Sequence, residues 1–132
     1  MFGKHLILDC DEMSINMESK EEIQKFIDEL VIDVLKMKKV GKTHYEYFED
    51  SYYNRIRGIV GYSVVQVISL SSIVLHLNDI PKSGFIDIFT CGDIEAGEVI
   101  ACVNKYFSPQ KIHSRLISRC EKQGSLDIKL ES

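Results

Sequence analysis

The sequence predicts an α+β two-layer sandwich, an antiparallel sheet with two helices on one face, which pairs sheet to sheet with a second copy as an αββα dimer. Three observations carry this. Two segments place apolar residues at helical spacings of three and four, and short strand-like runs surround them in the order strand, helix, four strands, helix, strand. The central runs are apolar on both parities, so they need cover on both faces. Two helices cover one face, and a second copy is the simplest cover for the other.

The elements follow in order. His5 to Cys10 (HLILDC) reads as a first strand, and Asp11 to Glu18 as a polar connection. Ser19-Lys20-Glu21-Glu22 is a capping box, in which hydroxyl and carboxylate satisfy orphan amides at a helix start. Behind it Ile23, Phe26, Ile27, Leu30, Val31, Val34 and Leu35 form one apolar stripe, and Gly41 can end the helix beyond Lys36, Lys38 and Lys39. Thr43 to Phe48 alternates as a strand, and Glu49 to Arg57 reads as a loop. From Ile59 a meander begins, with strands at Ser63 to Leu70, Ile73 to Leu77 and Phe85 to Phe89, and turn chemistry at Pro81-Lys82-Ser83-Gly84. Asp93 can cap a second helix, Ala96 to Phe107, whose stripe is Val99, Ile100, Val103 and Phe107 and which Ser108-Pro109 closes. Lys111 to Cys120 alternates with Lys111, His113, Arg115 and Arg119 on one face, as a half-exposed strand does, and the residues after Glu121 read as a loosely held end.

At 132 residues the chain suits one domain, 1–132, large enough for a core without staples. Its 45% hydrophobic and 27% charged content is that of a soluble globular protein. A formal charge of −4 with no clustered basic tract speaks against nucleic acid as partner. No apolar run approaches the roughly 18–20 residues of a membrane span, and Met1 to Glu12 lacks the apolar core of a signal peptide, so no membrane partner and a cytoplasmic location are expected. Cys10, Cys91, Cys102 and Cys120 include no C-x-x-C pair, and the four histidines lack zinc spacing; free thiols and no metal are expected.

Chemistry concentrates in Ser63 to Asp93. Singly, Ser71 at a turn, His76 on a strand and Cys91 before Gly-Asp have structural readings. Together, Gly3-Lys4-His5-Leu6, then Ser63, Ser71, His76 and Phe89-Thr90-Cys91-Gly92-Asp93 before a helix, resemble the prokaryotic S-adenosylmethionine decarboxylase proenzymes. The steps of eight residues from Ser63 to Ser71, five to His76 and fifteen to Cys91 match that family's pattern.

The resemblance implies a pyruvoyl enzyme. The Ser71 hydroxyl would attack the carbonyl carbon of Leu70, and an elimination would cut the chain between them and leave a covalent pyruvoyl group derived from Ser71. A strained turn suits this cleavage. His76 would move protons during the rearrangement, with Ser63 assisting. The pyruvoyl ketone would form a Schiff base with the substrate amine and act as electron sink for decarboxylation, and Cys91 would return a proton to the carbanion.

Departures from the pattern frame the substrate. Leu70 stands where the family usually has glutamate, Ser72 where it has histidine, and Leu77-Asn78-Asp79-Ile80 where it commonly reads T-W-P-E. Ile80 cannot accept the ribose hydrogen bonds expected of that glutamate. Asp79 is the candidate substitute from one position earlier, and Phe48 and Tyr47, with Tyr45 and Tyr52, are the candidate adenine-stacking aromatics. Three functions follow: an S-adenosylmethionine decarboxylase supplying aminopropyl groups for spermidine; a pyruvoyl decarboxylase of the same fold acting on ornithine or arginine; or a non-cleaving homologue acting as a dimerisation or regulatory partner.

Overall fold

A computed structural model describes residues 2–120, and the expected loose end after Glu121 lies outside them. One antiparallel sheet organises the chain. Its strands are β1 (Phe2–Met13), β2 (His44–Phe48), β3 (Gly61–Ile68), β4 (Ser71–Asn78), β5 (Ser83–Thr90) and β6 (Pro109–Cys120), in the spatial order β2-β3-β4-β5-β1-β6. The meander β3-β4-β5 is contiguous, while β1 inserts between β5 and β6. The α+β architecture expected from sequence is the one observed.

Register assigns the two faces. Leu6, Leu8, Val64, Ile68, Ile73, Leu75, Ile86 and Ile88 point to one side, where they are fully buried. Helix α1 (Lys20–Glu29) brings Ile23, Phe26 and Ile27 against them, and α3 (Ala96–Phe107) brings Val99, Val103 and Phe107. Phe26 meets Phe107 edge to face at 5.0 Å between centroids. Glu29 ties the two helices at their surface, accepting from Lys105 Nζ at 2.9 Å and Tyr106 Oη at 2.8 Å, and these hydrogen bonds hold its carboxyl below the usual range.

The other face has no cover within the described residues. It presents Ser63, Val65 and Val67 from β3, Ser72, Val74 and His76 from β4, Phe85, Asp87 and Phe89 from β5, and His5 and Ile7 from β1. The basic residues of β6 share this face, because Lys111, His113, Arg115 and Arg119 pair with Asp11, Asp9, Ile7 and Gly3.

Several local expectations are corrected. Ser19 does cap α1, accepting the Glu22 amide at 3.2 Å, but the Glu22 carboxylate pairs with Lys25 at 3.0 Å and leaves the box half made. The helix ends well before Gly41: a single π-helical segment, Leu30–Val34, follows α1, and Lys36 reverses the chain at φ 58°. The segment 49–57 is not all loop. A short helix α2 (Tyr52–Arg57) starts at Ser51, whose hydroxyl accepts the Asn54 amide, and stops at Gly58 with φ 68°. It buries no residue, so apolar periodicity could not announce it. Asp93 does not cap α3; the N-cap is Glu95, without a side-chain bond, and Asp93 instead pairs with Lys4 at 3.4 Å. The strand ends also differ, since β3 and β4 meet at Ile68 and Ser71 around a two-residue turn, Ser69-Leu70.

Candidate active site

The β3–β4 hairpin sets the position of Ser71. With Ile68 and Ser71 as the closing pair, Leu70 must take φ 50°, in the left-handed region that glycine or asparagine normally fills. Its side chain is 70% exposed, so no packing rewards the conformation. Strain therefore sits in the backbone of Leu70, the residue directly before Ser71.

Ser71 begins β4 on the helix-covered face and is buried. Its hydroxyl donates to Thr90 Oγ1 at 3.2 Å and accepts the Cys91 backbone N–H at 3.3 Å. Antiparallel pairing of β4 with β5 produces this meeting, because Ser72 lies opposite Phe89 and the next step along that register sets Ser71 against Thr90, with Cys91 following. Thr90 is fully buried. Its hydroxyl oxygen also accepts the Gly92 N–H at 2.9 Å, and it donates toward Met37 Sδ at 3.9 Å. Met37 arrives there by way of the π segment and the Lys36 reversal, with its own N–H on Val31 O at 2.8 Å.

His76 and Ser63 form a second group. They pair across β3 and β4 with Ser63 Oγ 3.0 Å from His76 Nδ1, on the open face. Five residues of strand separate His76 from Ser71, roughly 16 Å of extended chain. The odd step also turns the two side chains to opposite faces. Within one chain the structure joins Ser71 to the Cys91 backbone amide and Ser63 to His76, and keeps these pairs apart.

The aromatic and acidic candidates divide in the same way. Phe48 lines an open-face depression of about 320 Å³ with Ser63, His76, Asn78, Ser83 and Phe85. Tyr47 turns the other way and donates to Asp79 Oδ2 at 3.4 Å. Asp79 is only 8% exposed, and its Oδ1 has no partner among the described residues. Burial raises its carboxyl above the ordinary range, with Glu18 adding to the effect. Gly61, beside it, could carry no side chain, because a Cβ there would lie 2.1 Å from Leu77 O.

The Cys10 and Cys102 thiols are structural. Cys10 and Cys102 are buried in the core, and burial pushes them up to about 12 and about 11. Cys91 is partly accessible. Among the described residues no group of His, Cys, Asp and Glu could hold a metal ion, and no helix is long and apolar enough to cross a membrane. Thr90 and Met37 are the participants that sequence reasoning missed. Thr90 carried a signal in the FTCGD segment, whereas Met37, 53 residues away in sequence, carried none.

Comparison with known proteins bears on this geometry. A family model described as S-adenosylmethionine decarboxylase matches residues 4–120. A crystal structure of the adenosylmethionine decarboxylase from Aquifex aeolicus VF5 superposes with a TM-score of 0.70, covering 89% of each chain at 18% identity. No curated protein matches the chain.

Proposed function

Since the chain belongs to the S-adenosylmethionine decarboxylase family, we propose that it is a pyruvoyl-dependent carboxy-lyase that makes its own prosthetic group by cutting the chain between Leu70 and Ser71. S-adenosylmethionine is the substrate of this reading, and its decarboxylated product serves as aminopropyl donor for spermidine synthesis, in the cytoplasm. One observation carries the proposal: a buried serine hydroxyl beside Cys91, directly after a left-handed Leu70.

The residues present fit the group. Ser71 supplies its carbon atoms, and the adjoining Cys91 amide, Thr90 hydroxyl and β-strand hold that position rigidly. Once formed, the group supplies a ketone that condenses with an amine and draws electrons away from the breaking carbon–carboxylate bond. The Cys91 thiol, one residue past β5 and partly accessible, is the acid that protonates the substrate carbon after carbon dioxide leaves.

His76 and Ser63 need a second copy in this reading. They lie too far from Ser71 to serve it in the same chain, but they occupy the open face that a sheet-to-sheet homodimer would cover. In this reading a partner so oriented brings its Ser63–His76 pair to the Leu70–Ser71 peptide from the open face, the side opposite the buried Ser71 hydroxyl, where the imidazole exchanges protons and the serine orients it.

The depression beside His76 favours a second reading of the substrate. Its lining contains no carboxylate, and Asp79 faces Tyr47 instead, so the ribose has no acidic partner there. A pyruvoyl decarboxylase of a substrate without ribose, ornithine or arginine, is that second reading, and the cationic side chain of either would need its acidic partner outside this depression.

Intact mass of the purified protein tests the proposal. Two fragments are expected, broken before Ser71, the second resistant to N-terminal sequencing and reactive toward carbonyl reagents. An uncut chain under all conditions instead identifies a non-enzymatic homologue. Release of labelled carbon dioxide from S-adenosylmethionine, ornithine or arginine then separates the two substrates' readings.

A further inference from the structure

We infer that Thr90 is the positioning residue for self-cleavage, holding the Ser71 hydroxyl in the orientation from which it attacks the Leu70 carbonyl carbon. The inference rests on the pyruvoyl reading and adds to it a residue outside the Ser63, Ser71, His76 and Cys91 set.

Threonine at this position is otherwise costly. Thr90 is fully buried, valine has nearly the same shape without a polar atom, and an unpaired hydroxyl there would be unfavourable. Its three contacts explain it. Thr90 Oγ1 accepts from Ser71 at 3.2 Å and from the Gly92 N–H at 2.9 Å, and its own proton points to the weak acceptor Met37 Sδ at 3.9 Å. The Gly92 donor fixes the oxygen, and the thioether leaves its second lone pair free for Ser71. With the serine proton drawn toward Thr90, both lone pairs of the Ser71 oxygen remain as acceptors. One takes the Cys91 N–H at 3.3 Å, and the other is left for the carbon of its own preceding peptide.

The Ser71 oxygen bonds to the Leu70 carbonyl carbon and the Leu70–Ser71 carbon–nitrogen bond breaks. The hydroxyl proton passes to the Ser71 nitrogen, giving an ester and a free amine. Loss of the Ser71 α-proton then expels the Leu70 carboxylate, and water replaces the nitrogen as ammonia. Thr90 acts on the first stage only, because the Ser71 oxygen departs with Leu70 in the second.

The experiment follows cleavage, not decarboxylation. Full-length protein is made in a cell-free system, and the time course of cutting is read by intact mass for wild type, Thr90→Val and Thr90→Ser. Thr90→Val is expected to slow cutting on the order of tenfold, and Thr90→Ser, which keeps the hydroxyl, to stay within about threefold of wild type. Added hydroxylamine, which severs esters, should leave the Thr90→Val rate unchanged, since the ester does not accumulate. Wild-type speed in Thr90→Val overturns the inference while leaving the pyruvoyl reading intact, as does a hydroxylamine-sensitive ester building up in that variant. Should Thr90→Val lose its cooperative melt, Thr90→Ser decides: a folded Thr90→Ser protein cutting more than tenfold slowly overturns the inference. A wild-type chain that never cuts overturns both readings.

Discussion

At the scale of single residues, the chemistry of this chain depends on which neighbours a polar group finds. Ser71 and Thr90 are both buried hydroxyls, and each satisfies the other. Asp79 differs, since among the described residues one of its oxygens is paired only with the Tyr47 hydroxyl and the other has no partner. Burial lifts its folded-state pKa above the ordinary 3.8, so the folded chain binds that proton more tightly than the unfolded one. The contribution to stability is therefore fully present below the unfolded value and is lost as pH rises through the folded one. Asp79→Asn, which is neutral at every pH, should be more stable than wild type near pH 7 by about 1 kcal/mol. Its advantage should shrink as pH falls toward 4. Urea unfolding across that range checks this, and parallel pH profiles for the two proteins would refute it.

At the scale of elements, close approach between strands sets the site. Gly3 in β1 lets the Phe89 ring of β5 lie flat on its backbone: a Cβ would come within 2.7 Å of Phe89 Cζ and 3.1 Å of Thr90 O. The Arg119 guanidinium covers the same ring from β6, 5.2 Å from its centroid. Gly3→Ala should therefore cost about 1–3 kcal/mol, the usual penalty of overpacking, and displace the strand that carries Thr90 and Cys91. An unchanged urea midpoint would show that the ring moves freely. The hairpin shows how far element-level reading reaches. Runs apolar on both parities revealed β3, β4 and β5, but the turn expected around Ser71, after a strand ending at Leu70, lies instead at Ser69-Leu70, because leucine is among the last residues expected at φ 50°. Helix α2 escaped for the opposite reason: its Ser51 and Gly58 caps were legible, but no apolar stripe lay between them.

At the scale of the whole molecule, the open sheet face is the unfinished surface. Val67 is 50% exposed and Phe85 57%, beside half-buried Val65, Val74 and Ile7. A homodimer that covers them is part of the proposed function, and sedimentation of the purified protein should show two chains. Val67→Glu places a charge under that cover without touching the helix-side core. Its dissociation constant should rise at least about a hundredfold, with far-UV circular dichroism unchanged. A monomeric wild type, or a variant that still dimerises as tightly, would remove the second copy from the site. The amino-acid sequence by itself determined the α+β class, the order and parity of the meander and the spacing of Ser63, Ser71, His76 and Cys91 that resembles the S-adenosylmethionine decarboxylase family, because period and spacing are local properties. Only the tertiary structure decided which of those residues meet. Strand parity sends Ser71 to the helix side and His76 to the open side, and antiparallel register brings Thr90 and Cys91 to Ser71 from 19 and 20 residues away. The π segment after α1 delivers Met37 beneath them, a long-range contact that no spacing in the chain encodes.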